Sequence, residues 1–180
     1  MNKKSKTNKR TDFIDAIFDC MKNHEYFSDD FDRRKEKEGG IQKVFFSKLE
    51  RSLPKLYVDK LGKNSDEAQK MTKETFIYEK KKKIILHNFN YFGTSHRPDA
   101  QLEIDKNVSL VIEIKKGDKG TDIRAGIGQS LIYSQKYDFV LFVFVDTSPE
   151  RTIRNAVTAE EEKSLINSLW DNYNIRFRVL

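Results

Sequence analysis

The sequence predicts an α/β fold, with one mixed β-sheet flanked by helices. Three observations point there. Two stretches with helical spacing come first, before any strand pattern. From Thr75 onward the apolar residues fall instead into short β-prone runs separated by turn residues. Phe139 to Val145 is then continuously apolar, as in a strand covered on both faces within a right-handed strand–helix–strand unit. The expected order is α-α-β-β-β-β-α-β-α-β.

The first helix spans Thr11 to Asn23, with Phe13, Ile17, Cys20 and Met21 on one face. Ser28 to Glu38 is a charge-dense connection. Gly39-Gly40 marks the start or a bend of a second helix carrying Ile41, Val44, Phe45, Leu49 and Leu53, which Pro54 ends or kinks. Leu61 to Thr72 reads as polar with turn signals. Thr75 to Tyr78 and Lys83 to His87 read as strands around a Lys-rich turn, and Gly93 to Pro98 as a loop. Asp99 to Ile104 and Val108 to Lys116 form a hairpin around residues 105–107. Thr121 or Asp122 caps a helix reaching about Tyr137. Pro149 to Val157 is a loop. Thr158-Ala159-Glu160-Glu161 is a capping box opening a helix with Leu165, Ile166, Leu169 and Trp170, and Ile175 to Leu180 is a final strand.

Composition limits the function classes. A chain of 180 residues, 37% hydrophobic and 34% charged, is expected to form a single domain over residues 11–180 with a charged surface. There is no run of about 18 apolar residues to span a membrane. Cys20 is the only cysteine, which excludes an internal disulfide and a cysteine-cluster zinc site. An intracellular, cytoplasmic protein is expected. The net charge is +6, and residues 1–10 hold five bases and no acid. They read as a basic flexible tail. With the run Lys80 to Lys83, they suit a polyanionic partner or a solvated surface equally well.

The hairpin carries the chemistry. Strand alternation puts Val111, Glu113 and Lys115 on one face, and Leu110, Ile112 and Ile114 on the other, core face. If the turn is 105–107, Leu102 faces Leu110 and Asp99 faces Glu113, with Cβ atoms about 5 Å apart. Two opposed carboxylates destabilise a sheet unless one keeps a proton or a cation joins them. Mg²⁺ meets that need with oxygen ligands, and the Ile114 carbonyl is a candidate extra ligand. Lys115 then orients or deprotonates the attacking water, or neutralises the charge that develops on phosphorus. The competing reading is a surface salt bridge of Asp99 or Glu113 with Lys115.

Pro98-Asp99 followed by Glu113-Ile114-Lys115 resembles the signature of the PD-(D/E)xK nuclease superfamily, whose fold is restriction-endonuclease-like with an αβββαβ core. Gln129-Ser130-Leu131-Ile132-Tyr133 resembles the QxxxY helix of its RecB-like branch. The resemblance covers roughly Glu38 to Leu180. It implies a metal-dependent nuclease acting on phosphodiester bonds, with DNA as substrate, in restriction, defence or repair. Mg²⁺ would be the cofactor, with Mn²⁺ substituting. Asp99 and Glu113 would be ligands, Lys115 the catalytic lysine, and Gln129 and Tyr133 supporting residues. The family also implies an acid on the first core helix; Glu38 fits best, with Glu50 and Glu36 as alternatives. It implies a homodimer where both strands are cut.

Lys116, Lys119 and Arg124 follow the catalytic strand and are candidates for holding phosphates, and His96 for touching nucleic acid. Gly126 and Gly128 lower helix propensity by about 1 kcal/mol each, and a close approach of backbone to sheet or substrate would explain them. The alternative function is a non-catalytic nuclease-fold module that binds nucleic acid or a protein partner.

Overall fold

The structure is a computed structural model that describes residues 5–23, 31–78 and 88–180. The expected strand Lys83 to His87, the Lys-rich turn before it and the start of the Ser28 to Glu38 connection lie outside the described residues. Helices α1 (Asn8–Lys22), α2 (Glu38–Leu61) and α3 (Ser65–Thr75) come first. Strand β1 (Ile77–Tyr78) and a small hairpin, β2 (Phe89–Tyr91) and β3 (Thr94–His96), follow. Then come β4 (Ala100–Asp105), β5 (Val108–Gly117), α4 (Gly120–Tyr133) and β6 (Phe139–Asp146). A 3₁₀ turn (Pro149–Arg151), α5 (Thr152–Ala156), α6 (Glu160–Tyr173) and β7 (Ile175–Val179) complete the chain.

Five strands form one mixed sheet in the order β1-β4-β5-β6-β7. β1, β4 and β5 are antiparallel neighbours, while β6 and β7 run parallel to β5. The fold class is therefore the expected α/β arrangement of a mixed sheet flanked by helices. Every residue of β6 is buried, as its continuous apolar run requires.

Alternation along β5 divides the interior into two clusters. Leu110, Ile112 and Ile114 join Phe13, Ile17, Phe45, Leu49 and Tyr57 beneath α1 and α2. Val111 joins Tyr133 of α4, Phe142 and Phe144 of β6, and Leu169 of α6. The register is the expected one, with Leu102 opposite Leu110 and Ala100 opposite Ile112. The turn is tighter than expected. Asp105 pairs with Val108 across Lys106-Asn107, where Asn107 takes φ 62°, and the ladder shifts register at Ile104.

Several sequence expectations are corrected. Pro54 does not end its helix; α2 continues to Leu61, held by buried Leu53 and Tyr57 on either side and by the Tyr57 hydroxyl, which donates to the Glu103 carbonyl. The polar stretch after Leu61 is the helix α3, started by Asn64, whose side chain accepts from the Glu67 N–H at 2.8 Å. Half of the loop expected at Gly93 to Pro98 is strand: Thr94–His96 forms β3, which pairs with β2 around Phe92 and Gly93, with φ of 52° and 71°. The stretch Pro149 to Val157 contains the 3₁₀ turn and α5. Thr158 does not cap α6; its hydroxyl donates to the Asn155 carbonyl, and Ala159 is the N-cap. Cys20 lies at the margin of its helix, half-buried, outside the core cluster.

Residues 8–10 of the expected basic tail are helical, and residues 1–4 lie outside the described residues. Helix α1 begins at Asn8, capped by the Thr7 hydroxyl. Arg10 pairs with Asp105 at 3.2 Å, and the Lys6 ammonium donates to the Asp171 carbonyl at 2.9 Å.

Candidate active site

The site forms where β4 begins and β5 ends. Pro98 is buried, and Asp99 sits one residue before β4. The Asp99 Oδ2 accepts the Ile114 N–H at 2.7 Å. This bond continues the hairpin past its last pair and fixes the carboxylate beside the strand end. The Ile114 side chain is buried in the core beneath α1 and α2, while its backbone borders the site on the Asp99 edge of the strand.

Glu113 points to the opposite face, under α4, and is only 1% exposed. Its Oε1 lies 3.0 Å from the Lys115 Nζ. Its Oε2 is buried with no hydrogen-bond partner; the Tyr133 hydroxyl comes close to the Glu113 carboxyl but gives its proton to the Arg97 carbonyl. The electrostatics follow from this burial. Loss of water, and then the Glu113 carboxylate, push Asp99 up to about 8 against the pull of the Ile114 N–H and Lys115. Burial also raises Glu113, although Lys115 opposes it. Burial works against the Lys115 ammonium, but Glu113, Glu38 and Asp99 together outweigh it and raise its pKa. The surface salt-bridge reading is thus wrong about location, because the Glu113–Lys115 pair lies mostly inside.

Of the three candidate helix acids, Glu38 reaches this cluster. It opens α2, accepts the Lys116 N–H through Oε2 at 3.0 Å, and brings Oε1 to 3.8 Å from the Lys115 Nζ. Glu50 accepts the Tyr78 hydroxyl at 3.0 Å. Glu36 folds over the first turn of α2, where its Oε2 would stand 2.8 Å from a Cβ at Gly40. Lys116 is committed to structure: its Nζ donates to the Arg34 and Glu36 carbonyls, each at 2.6 Å, and so holds the entry to α2 against β5. Lys119 and Arg124 are exposed around the start of α4, apart from these contacts.

Helix α4 closes the face above Glu113. Gly126 permits this, since a Cβ there would stand 2.2 Å from the Phe142 Cζ. Ser130, one turn on, is fully buried and returns its hydroxyl to the Gly126 carbonyl at 2.8 Å. Gly128 faces open space and explains no close approach. Ile127 and Leu131 pack against the margin of the second cluster. Tyr133 is buried, with its hydroxyl donating to the Arg97 carbonyl at 2.9 Å. Burial and the nearby Glu113 raise its pKa. Gln129 is half-buried, and its Oε1 has no partner. His96 stacks on Phe89 with ring centroids 5.9 Å apart, and its Nε2 is also buried without a partner.

One basic feature has no signal in the sequence. A cavity of about 420 Å³ at the end of β6 is lined by Lys22, Arg33, Arg34, Arg151 and Arg154, with Asp32 and Asp146. Asp146 is occupied, accepting the Ser148 and Arg154 N–H groups at 2.8 Å each. Arg33 donates to the Met21 and Lys22 carbonyls that end α1. No local pattern joins arginines more than a hundred residues apart.

Among the described residues, no three His, Cys, Asp or Glu side chains gather closely enough to hold a metal ion by themselves. The donor set is nevertheless one of hard oxygens, with one carboxylate oxygen left over. No family model, curated protein or solved structure matches the chain.

Proposed function

We propose that this chain is a metal-dependent nuclease of the restriction-endonuclease-like type, hydrolysing phosphodiester bonds in DNA. The observation that carries the reading is the buried, unpartnered Oε2 of Glu113, next to an Asp99 carboxylate held up near 8 and the Lys115 ammonium. Buried polar atoms are normally satisfied, and a bare carboxylate oxygen costs several kcal/mol in an apolar setting, in order-of-magnitude terms. A divalent cation would satisfy it and relieve the repulsion between the two carboxylates. The order α2, β1, β4, β5, α4, β6 within and around the sheet supports the αβββαβ core.

The residues fit such an ion. Asp99 and Glu113 would hold Mg²⁺, with Glu38 as a further acid beside them and substrate oxygens as additional donors. Bound there, the ion would supply Lewis-acid stabilisation of the phosphorane and a lowered water pKa. Lys115, steadied by Glu113 and Glu38, orients the attacking water or offsets charge on the phosphoryl oxygens. Tyr133 ties α4 to the backbone just before Asp99 and so holds the carboxylate in place. The arginine-lined cavity beyond β6 offers phosphate contacts along the strand.

The test is cleavage of linear, circular, branched and single-stranded DNA with Mg²⁺ or Mn²⁺, run with calorimetric metal titration. Wild-type cleavage should vanish on chelation and in Asp99→Asn and Glu113→Gln. Full activity in either variant rejects the assignment. One observation favours the alternative, a non-catalytic nuclease-fold module binding nucleic acid or a protein partner: Lys115 already bridges Glu113 and Glu38, which would suit a site that needs no ion. That reading expects no metal uptake and no cleavage.

A further inference from the structure

Beside the carboxylates lies a second, polar cavity of about 410 Å³, between the β2–β3 hairpin and α4. Thr94, Ser95, His96 and Arg97 line it from the hairpin side, and Gln129 and Tyr133 from the helix. Two of its lining residues point to a ligand. The His96 Nε2 and the Gln129 Oε1 are both buried and both lack a hydrogen-bond partner. A buried polar atom left unpaired is costly, so the pair is matched to a group that can bond to both. The other feature is aromatic. Phe89 stacks on His96 and meets Tyr133 edge-on at 6.0 Å. At the hairpin tip Phe92 is 92% exposed, beside Tyr91. An exposed phenyl ring on a positive-φ residue is costly in two ways, by exposure and by backbone strain.

A flat ligand with hydrogen-bonding edges fits all of this. We propose that the space between the β2–β3 hairpin and α4 binds one unpaired nucleobase of a nucleic-acid strand, with Gln129 and His96 reading its edge, and that Phe92 at the hairpin tip, outside the cavity, stacks on a neighbouring base. The inference rests on the nuclease reading only for the neighbouring phosphodiester, which would lie against Asp99 and Glu113. Single-stranded bases are recognised in this way, by stacking on aromatic rings and by bonds to their free edges. A base inside a blunt duplex is paired and cannot enter. The substrate class is therefore single-stranded or frayed nucleic acid.

The experiment uses the full chain carrying Glu113→Gln, so that the strand survives, and fluorescence anisotropy with labelled oligonucleotides of DNA and of RNA. Three forms are compared: single-stranded, blunt duplex, and single-stranded with one abasic site moved along the strand. Single strands should bind more tightly than duplex. One abasic position should weaken binding about fivefold or more, the scale of a single base stack. Adding Gln129→Ala should remove that position's effect, and Phe92→Ala should weaken single-strand binding without removing it; Phe92 is exposed and Gln129 is half-buried, so neither change threatens the fold. A 2-aminopurine placed at that position should be quenched on binding. Equal affinity across the abasic series, equal binding of duplex, no binding of either nucleic acid, or discrimination that survives Gln129→Ala overturns the proposal. Cleavage by the unmutated chain is scored separately with Mg²⁺. Cleavage without base discrimination rejects the pocket alone, and discrimination without cleavage rejects the nuclease reading alone.

Discussion

The two faces of β5 are made by one strand and behave as opposites. Leu110, Ile112 and Ile114 enter a wholly apolar interior beneath α1 and α2. Val111, Glu113 and Lys115 alternate with them and start equally dry, but the face turns ionic at Glu113. The site is thus a place where a core face is interrupted by charge before it reaches solvent. Burial on the first face stabilises the fold. Burial on the second raises carboxylate pKa values and leaves an oxygen orphaned, which is a cost to the fold that a bound cation would offset.

The largest expected effects separate the two faces. Ile112→Ala should cost about 2–5 kcal/mol of stability, read by denaturant unfolding, with cleavage by the folded fraction unchanged. Glu113→Gln should do the reverse: unfolding nearly unchanged or slightly strengthened, metal uptake lost, and cleavage down by about 10²–10³ or more. Lys115→Ala should lose a similar factor in rate while metal uptake persists. If Glu113→Gln unfolds the chain, the carboxylate is a structural partner of Lys115 and the contrast between faces fails.

Gly126 tests how closely the second face is covered. Its missing side chain lets α4 settle onto Phe142. Gly126→Ala should cost about 1–3 kcal/mol by overpacking, and should also slow cleavage, because Gln129 and Tyr133 ride on the same helix. Gly128→Ala is the control. It meets nothing within 4 Å and should stabilise α4 by up to about 1 kcal/mol. If Gly126→Ala is as harmless as Gly128→Ala, α4 has room to move.

The third effect is a pH dependence confined to the ionic face. In the unfolded chain Asp99 titrates near its ordinary value of 3.8; in the folded, metal-free chain it titrates near 8. The folded state therefore holds the extra proton between those values. The stability this contributes is complete below pH 4 and is lost as pH rises toward 8. The metal-free melting temperature should fall over that window, by about 2–4 °C per kcal/mol for a domain of this size. Asp99→Asn should flatten the trend, and saturating Mg²⁺ should reverse it, since the ion binds the charged form. A melting temperature that rises from pH 5 to 8 without metal would overturn the assignment of the shift to Asp99.

Legibility in the sequence follows the same division. The β4–β5 register is readable because alternation pins it: a one-residue slip would put Leu102 and Leu110 on the wrong face. Asp99, Glu113 and Lys115 are readable for that reason. The closed lid over Glu113 is not, because Gly126 and Ser130 face the sheet with almost no apolar signal. Helix α3 escapes a sequence reading because only Ala68 and Thr72 are buried along it. The β2–β3 hairpin escapes it because its strands have three residues each and its turn is Phe-Gly rather than Asn-Gly. The arginines around the β6 cavity meet only through the tertiary fold.

The smallest effect concerns the basic residues at the start of the sequence. Arg10 is anchored to Asp105, at the turn end of the hairpin. From Val108 to Glu113 the strand advances roughly 17 Å at about 3.3 Å per residue, so Arg10 is held away from the carboxylates. Deleting residues 1–4 removes Lys3 and Lys4 and leaves the Thr7 cap and Arg10 in place. The melting temperature and the Glu113-dependent chemistry should not change. Binding to single-stranded DNA should weaken slightly, and the salt dependence should flatten by about 0.7 in slope for each phosphate no longer neutralised. Arg10→Ala should act oppositely, costing up to about 1 kcal/mol in stability through a part-buried ion pair with little change in salt slope. If the four-residue deletion lowers the melting temperature, the arm belongs to the fold. If binding and slope are untouched, its charge does not reach the nucleic acid, and the ionic face binds alone.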